Sequence, residues 1–311
     1  MEEKKISIVI PTYNEQDSIS ELYLEIKQVM QSNNLSYEII FIDDGSTDGT
    51  FKVMEELYND NQGVKVIRFR TNFGKSAALA AGFKTAIGKI IITMDADLQD
   101  DPQEIPALIN KINEGYDLVS GWKQKRNDPI TKTIPSRAFN FMVRMLTGVK
   151  LHDINCGIKA YRSTVIKEID VYGDLHRFLP VIASNKGFKV TEIKVQHHAR
   201  KYGKTKYGIK RFVEGILDLL TVLLLTRYVK KPSHFFGSFG LLFFSIGFIA
   251  DFYVTLLKFI TGSTQGRIPL LIFGVLMIVV GVQLISLGLL SEIIIQKDKK
   301  HEYLIKKVLY K

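Results

Sequence analysis

The sequence predicts an α/β protein, a mostly parallel sheet flanked by helices, followed by a C-terminal hairpin of two membrane-spanning helices. Three observations carry this. From Ile6 to Gly121, short apolar runs alternate with stretches whose apolar residues recur at helical spacing. A polar cluster follows the carboxyl end of each of several runs. Two apolar runs of bilayer length lie after residue 234.

Ile6-Ser7-Ile8-Val9-Ile10 reads as a first strand stopped by Pro11, and Ile19, Leu22, Ile26 and Val29 mark the face of a helix from Ser18 to Met30. Tyr37 to Ile42 is a second strand, ending in Asp43-Asp44-Gly45-Ser46. Thr47-Asp48-Gly49-Thr50 opens a helix through Leu57, with Asp and Thr as its caps. Lys65 to Phe69 is a third strand, and Asn72-Phe73-Gly74-Lys75 leads into an alanine-rich helix from Ser76 to Ile87. A fourth strand, Lys89 to Met94, precedes a helix from Pro102 to Glu114. A fifth strand runs from Asp117 to Gly121. Ile134 to Leu146 reads as a helix with Phe139, Val143 and Leu146 on one side, core-facing ahead of an interfacial alternative, and Phe188 to Gln196 is one more strand.

The polar clusters share a position. Pro11-Thr12-Tyr13-Asn14-Glu15, Asp43-Asp44, Asn72, Asp95-Ala96-Asp97 and Gly121-Trp122 each follow a strand, and open α/β sheets bind ligands at that edge. In extended backbone Asp95 and Asp97 point to one side. Two carboxylates that close repel unless something positive lies between them. A divalent cation held with a diphosphate meets that need; a solvated Asp-x-Asp turn is the alternative. No Gly-x-Gly-x-x-Gly follows the first strand and no Gly-x-x-x-x-Gly-Lys-Ser/Thr is present, which disfavours a Rossmann dinucleotide site and a phosphate-loop NTPase.

Composition narrows the partners. The chain has 311 residues and a formal net charge of +10, from 42 Lys+Arg against 32 Asp+Glu. That balance suits nucleic acid, anionic headgroups or phosphorylated substrates. Its one cysteine, Cys156, excludes an internal disulfide and reads as a small buried residue. The N-terminus lacks a signal-peptide layout, so the front of the chain is expected in the cytosol.

Between His197 and Lys231 nine Lys/Arg stand against two Asp/Glu. Arg200-Lys201-Tyr202-Gly203-Lys204-Thr205-Lys206-Tyr207 is a basic loop suited to phosphate, a solvated basic loop or RNA-binding patch being the alternatives. Lys210 to Thr226 reads as an amphipathic helix lying on a membrane surface. Phe235 to Phe259 and Ile268 to Ile295 each exceed the ~20 residues that span a bilayer. Lys230, Lys231, Lys297, Lys299 and Lys300 flank the outer ends against Lys258 and Arg267 at the turn, which places both ends in the cytosol. Asp251 in the first span is either functional or hydrogen-bonded across to the other span, which carries Gln283.

Val9-Ile10-Pro11-Thr12-Tyr13-Asn14-Glu15, Asp43-Asp44-Gly45-Ser46, Asp95-Ala96-Asp97-Leu98-Gln99, Asn155-Cys156-Gly157 and the Arg200…Lys206 loop occur in the order found in family 2 glycosyltransferases of GT-A fold. Over essentially its whole length the chain resembles the polyisoprenyl-phosphate members, the bactoprenol glucosyltransferases and dolichol-phosphate mannose synthases. The resemblance implies a cytosolic GT-A catalytic domain over 1–208, a juxtamembrane amphipathic helix over 209–231, two transmembrane helices over 232–297 and a basic cytosolic tail over 298–311. It implies that Pro11, Tyr13, Glu15, Asp43 and Asp44 contact the nucleotide, and that Asp95, Asp97 and Gln99 hold Mg²⁺ or Mn²⁺ and the donor diphosphate. Arg200, Lys204 and Lys206 would meet donor or acceptor phosphate. Lys123 stands where relatives commonly have Arg, and Asp100-Asp101-Pro102 where they often have Asp-Pro-Pro; neither departure removes a necessary group.

The implied reaction is inverting transfer of a hexose to undecaprenyl or dolichyl phosphate at a bacterial plasma membrane. UDP-glucose is the first expectation for the donor and GDP-mannose the alternative. Asp153 and Asp174 are candidate orienting or base groups, and some relatives are tetramers. A processive polysaccharide synthase would carry Gln-x-x-Arg-Trp, whereas the only tryptophan, Trp122, lacks it. A tethered RNA-binding module would leave the clustered carboxylates unexplained, so nucleic acid is not an expected partner.

Overall fold

The computed structural model describes residues 6–124, 130–169, 171, 173, 175–202, 217, 219–224, 231–264 and 266–298. The chain divides into two compact units, Met1–Val222 and Leu223–Lys311.

The first unit is built on a seven-stranded sheet. Its strands are β1 (Ile6–Thr12), β2 (Tyr37–Asp43), β3 (Val64–Arg68), β4 (Ile90–Thr93), β5 (Leu118–Lys123), β6 (Lys159–Arg162) and β7 (Val190–Val195), in the spatial order β3-β2-β1-β4-β6-β5-β7. All neighbours pair in parallel except β6, which runs antiparallel to both β4 and β5. The predicted strands match to within two residues at most ends. Strand β6 has no counterpart in the sequence reading, because Lys-Ala-Tyr-Arg shows neither an apolar run nor clean alternation.

Helices α1 (Ile19–Ser32), α2 (Thr50–Asp60), α3 (Lys75–Thr85), α4 (Ile105–Asn113), α5 (Ile130–Thr147), α6 (Ser163–Glu168) and α7 (Leu179–Asn185) complete the unit. Alternate residues of the inner strands feed two cores. Ile8, Ile10, Phe41 and Ile92 pack on one face with Leu22 and Ile26 of α1 and Leu108 of α4. Val9, Ile40, Ile42 and Ile91 pack on the other with Leu79 of α3 and Leu179 of α7. These side chains are at most 3 % exposed, and each contributes on the order of 1.5–3 kcal/mol of transfer free energy. Asp48 does not cap α2 as a helix N-cap. The cap is Gly49, and the Asp48 carboxylate accepts the Thr50 N–H two residues on. On α5, Phe139 and Val143 are buried as the pattern predicts, while Phe141 and Met145 are exposed.

Glu38 on β2 is fully buried. It accepts the Ser7 hydroxyl at 2.6 Å and the Ile87 N–H at 3.0 Å, and its other oxygen pairs with Lys65 at 2.8 Å. One carboxylate thus ties β1, β3 and the approach to β4 onto β2. Gly82 sets the height of α3 over the sheet, because a Cβ there would run into Val9 and reach 2.9 Å from the Ile42 Cδ1. That close approach brings the first turn of α3 to the carboxyl edge of β1 and β4.

The second unit holds helices α8 (Pro232–Thr261) and α9 (Ile268–Asp298), both long and apolar enough to cross a membrane. Their apolar windows are only 17 % and 11 % buried, unlike core helices of a water-soluble fold. The two helices pack closely through glycines: a Cβ on Gly240 would meet the Gly281 carbonyl at 2.7 Å, and Gly247 lies against Gly274 and Ile278. Small residues let helix backbones approach where lipid removes the hydrophobic drive. Asp251 packs on Gly274, and its Oδ1 makes no hydrogen bond to Gln283 or any other described residue. The amphipathic helix expected over Lys210 to Thr226 falls largely outside the described residues; 219–224 are helical.

Candidate active site

The carboxyl ends of β1, β2, β4 and β5 and the start of the reversed β6 lie on one edge. At the end of β1, Asn14 takes a left-handed conformation (φ +53°). Its N–H donates to the Ser46 hydroxyl at 3.0 Å, its side-chain oxygen accepts the Thr47 N–H at 2.8 Å, and the Glu15 N–H donates to Thr50 Oγ1 at 2.9 Å. These bonds lock the Pro11–Glu15 segment onto the loop after β2.

Asp43 and Asp44 are buried in that loop and their carboxylates are engaged within the protein. Asp43 accepts the Ser46 N–H at 2.8 Å and pairs with Arg68 at 3.4 Å. Asp44 accepts the Phe73 and Gly74 N–H groups at 2.7 and 2.9 Å. Burial raises the Asp44 pKa, with those two amides pulling against it. The pair therefore shapes the loops after β2 and β3 and fixes the entry of α3.

The turn after β4 carries the acidic pair. Leu98 sits at φ +58°, an unfavourable conformation for a branched side chain that places strain at the site. Asp95 ion-pairs with Lys75. Asp97 accepts the Gln99 N–H at 3.2 Å and lies 3.6 Å from Arg200. Arg200 also reaches Glu15 Oε1 at 2.5 Å, so one guanidinium bridges the ends of β1 and β4. Burial alone would raise the Asp95 pKa, but the Lys75 ammonium beside it holds the carboxyl well below its ordinary value. Asp97 is pushed up to about 6, first by burial and then by the charges of Asp95 and Asp100, with Arg200 opposing.

Asp100 braces this turn. It is buried, its carboxylate pairs with Lys123 at 3.0 Å, and its backbone forms an isolated antiparallel β-bridge with His197. Burial would lower the Lys123 pKa, and Asp100 more than reverses it, so this cation stays charged. Gly157 leaves the room: a Cβ there would lie 2.5 Å from Asp100 Oδ2 and 2.7 Å from Asp95 Cγ. The Cys156 thiol is buried and pushed up to about 12 by burial, which excludes a thiolate nucleophile at neutral pH.

Of the predicted site residues, the structure brings Glu15, Asp95, Asp97, Lys123 and Arg200 together. Gln99 turns its amide toward the His198 carbonyl at 3.5 Å. Asp153 is buried and accepts the Asn155 N–H at 3.1 Å. Pro11 and Tyr13 are half-buried at the end of β1. Asp174, Lys204 and Lys206 lie outside the described residues.

Three residues join the site that sequence reasoning passed over. Lys75 stands in the first turn of α3, where a cation opposes the helix dipole; that misplacement was the available signal. Lys159 opens β6 and is 4 % exposed, its ammonium donating to the Cys156 carbonyl. His176 is buried against Ser76, 2.8 Å from ring Nδ1 to hydroxyl, across 100 residues of chain. Burial, then Lys75, Arg177 and Lys159, lower its pKa well below the usual value, so the imidazole is neutral.

Among the described residues no three His, Cys, Asp or Glu side chains form a metal cage. Asp95 and Asp97 still suit a hard divalent ion: they are adjacent oxygen donors, and Asp97 lacks enough positive charge to stay at its ordinary pKa.

Comparison with known proteins gives a consistent result. The family model described as "Glycosyl transferase family 2" matches residues 7–170. A dodecaprenyl-phosphate galacturonate synthase of Rhizobium johnstonii is 37 % identical, covering 98 % of this chain and 93 % of its own. An undecaprenyl-phosphate 4-deoxy-4-formamido-L-arabinose transferase of Edwardsiella ictaluri is 34 % identical over 93 % of this chain and 88 % of its own. Among solved structures, glucosyl-3-phosphoglycerate synthase from Mycobacterium tuberculosis, in complex with Mn²⁺, UDP-glucose and phosphoglyceric acid, shares the fold of the first unit. It matches with a TM-score of 0.56 at 19 % identity, over 71 % of this chain and 80 % of that one.

Proposed function

The chain belongs to glycosyl transferase family 2, and from that membership we propose that it transfers a sugar from a nucleoside diphosphate to a polyprenyl phosphate, with inversion at the anomeric carbon. The observation that carries this reading is the meeting of Asp95 and Asp97 with Lys75, Lys123 and Arg200 on one sheet edge. Transfer leaves a nucleoside diphosphate whose growing negative charge needs cations in place before the bond breaks.

A divalent ion at Asp95 and Asp97, Mg²⁺ or Mn²⁺, would supply Lewis-acid stabilisation of that leaving group. Arg200, held by Glu15 and Asp97 in the free protein, is poised to turn to phosphate when donor arrives. Lys75 is placed in the same way beside Asp95. Asp44 and the Asn14–Ser46 bonds keep the nucleotide-side loops in register. The acceptor is a phosphate monoester, largely dianionic at pH 7 since its second pKa is about 6, so its oxygen attacks C1 with little help from a base. The new C1–O bond forms as the bond to the β-phosphate oxygen breaks, and the nucleoside diphosphate departs whole. Asp153 is the described candidate for orienting the acceptor.

Among neutral hexose donors, the motif resemblance ranks UDP-glucose ahead of GDP-mannose. The relatives' names carry a galacturonate and a formamido-arabinose, so the substituents of the sugar depend on residues beyond the acidic pair. Helices α8 and α9 would hold the enzyme at the bilayer where a polyprenyl phosphate resides. The lysine excess at their outer ends supports a cytosolic catalytic unit and cytosolic termini. A homo-oligomer, a tetramer by resemblance, is part of the same proposal.

The test is to incubate membranes carrying the protein with a panel of labelled nucleotide sugars, extract the lipid and identify the released nucleotide. A sugar monophosphoryl lipid with a nucleoside diphosphate is expected. Release of UMP or GMP would mean transfer of sugar phosphate and would overturn the mechanism.

A further inference from the structure

Lys159 is not explained by the chemistry above. It is 4 % exposed and donates to the Cys156 carbonyl, and among the described residues no carboxylate lies within ion-pair distance of its ammonium. Taking an ammonium out of water without an anionic partner costs several kcal/mol, which a single carbonyl does not offset.

Its place in the sheet indicates what the partner is. Strand β4, which delivers Asp95 and Asp97, lies between β1 and β6. Arg200 and Glu15 stand on the β1 side, with the nucleotide-side loops beyond them. Lys159 stands on the β6 side, at the residue paired with Thr93. A donor whose diphosphate lies at the acidic pair, with its nucleotide toward β1 and β2, therefore points its sugar toward β6. Charge on that side is unbalanced. Lys75, Arg177 and Lys159 all act on His176 from nearby, Asp95 is already paired with Lys75, and the buried Asp153, though it attracts Lys159, lies beyond ion-pair distance of it. His176 and Ser76, hydrogen-bonded to each other, add neutral polar groups to the same wall.

We propose that Lys159, with His176 and Ser76 beside it, is the subsite that reads a carboxylate on the donor sugar, and that the preferred donor is a nucleoside-diphosphate hexuronate. The proposal rests on the transferase reading. A neutral hexose would leave the buried ammonium with hydroxyl partners alone. The C6 carboxylate of a hexuronate supplies the missing counter-charge.

The experiment compares kcat/KM for UDP-galacturonate and UDP-glucuronate with UDP-galactose and UDP-glucose, using the full chain in membranes with polyprenyl phosphate. Wild type, Lys159→Met and Lys159→Arg are assayed, and UDP affinity is measured separately. The wild type should favour a hexuronate over its hexose by at least tenfold. Lys159→Met should lose roughly 10- to 150-fold on the hexuronate, the range expected for one charge-assisted contact, and should lose less on the hexose, so that the preference for hexuronate falls, with UDP affinity little changed. Lys159→Arg should recover part of the loss. Equal use of hexose and hexuronate by the wild type overturns the proposal, even if Lys159→Met fails to fold, and leaves the transferase reading standing. A parallel fall in UDP affinity would assign Lys159 to the diphosphate, and a change confined to the KM for lipid would assign it to the acceptor; both also overturn it. No lipid-linked product from any donor would sink the transferase reading itself, and the proposal with it.

Discussion

Replacing Arg200 with alanine should weaken binding of a nucleoside diphosphate to the metal-loaded protein by one to two orders of magnitude, with a pH signature. The guanidinium lies 2.5 Å from Glu15 and 3.6 Å from Asp97, and the three side chains are only 18, 11 and 18 % exposed. Contacts this enclosed are not screened away as surface pairs are. Loss of one charge-assisted contact to phosphate costs about 1.5–3 kcal/mol, or roughly 10- to 150-fold in affinity. A second effect follows from Asp97. Burial, Asp95 and Asp100 raise its pKa to about 6 even with Arg200 opposing them. Without Arg200 it rises further, so protons compete with metal for this carboxylate closer to neutral pH. The assay is titration calorimetry on the detergent-solubilised full chain with Mn²⁺ and UDP, at pH 8 and pH 6.5 in 0.15 M salt. The variant should lose affinity at both values and lose more at pH 6.5, while Arg200→Lys recovers part of the loss. Binding within twofold of wild type at both pH values would refute the phosphate role. An equal loss at both would refute the coupling to Asp97.

Further expectations concern other parts of the molecule. Asp95→Asn or Asp97→Asn should abolish transfer and EDTA should do so reversibly; full activity of either variant in metal-free buffer would remove the metal from the mechanism. Glu38→Ala, which strands the buried Ser7 hydroxyl and Ile87 N–H, should destabilise the first unit by about 2–4 kcal/mol, Lys65 being exposed enough to rehydrate. Trp122, the chain's one tryptophan, reports that unit in urea titrations. Burial would raise the Glu38 pKa, but the Ile87 amide, Lys65 and Ser7 together lower it. Its contribution is therefore present above the unfolded value near 4.5 and lost as pH falls below it; a Glu38→Gln variant should show a flatter acid limb. A cysteine placed at Ser263, in the turn between α8 and α9, should react with an impermeant thiol reagent from outside the cell, whereas one at Ser32, exposed at the end of α1, should not. The opposite pattern would invert the proposed topology.

Elements with local signals are legible in the amino-acid order alone. Ile6–Ile10, Tyr37–Ile42 and Lys89–Met94 announce strands because fully buried parallel strands must be apolar on both faces. Ile19, Leu22, Ile26 and Val29 announce α1 because one helical face meets the core. The spans around Phe244 and Ile278 are legible because lipid tolerates few polar side chains. Asp95 and Asp97 were legible because both carboxylates sit within three residues at a strand end. Tertiary structure alone decided the pairings that close the site. Strand β6 inserts reversed between β4 and β5, and its four residues take their conformation from those neighbours instead of from any period of their own. Arg200 meets Glu15 across 185 residues and Ser76 meets His176 across 100. Such contacts leave no mark on local periodicity: each residue alone is an ordinary polar side chain, and only the sheet order and the close seat of α3 on Gly82 bring the partners within hydrogen-bonding distance.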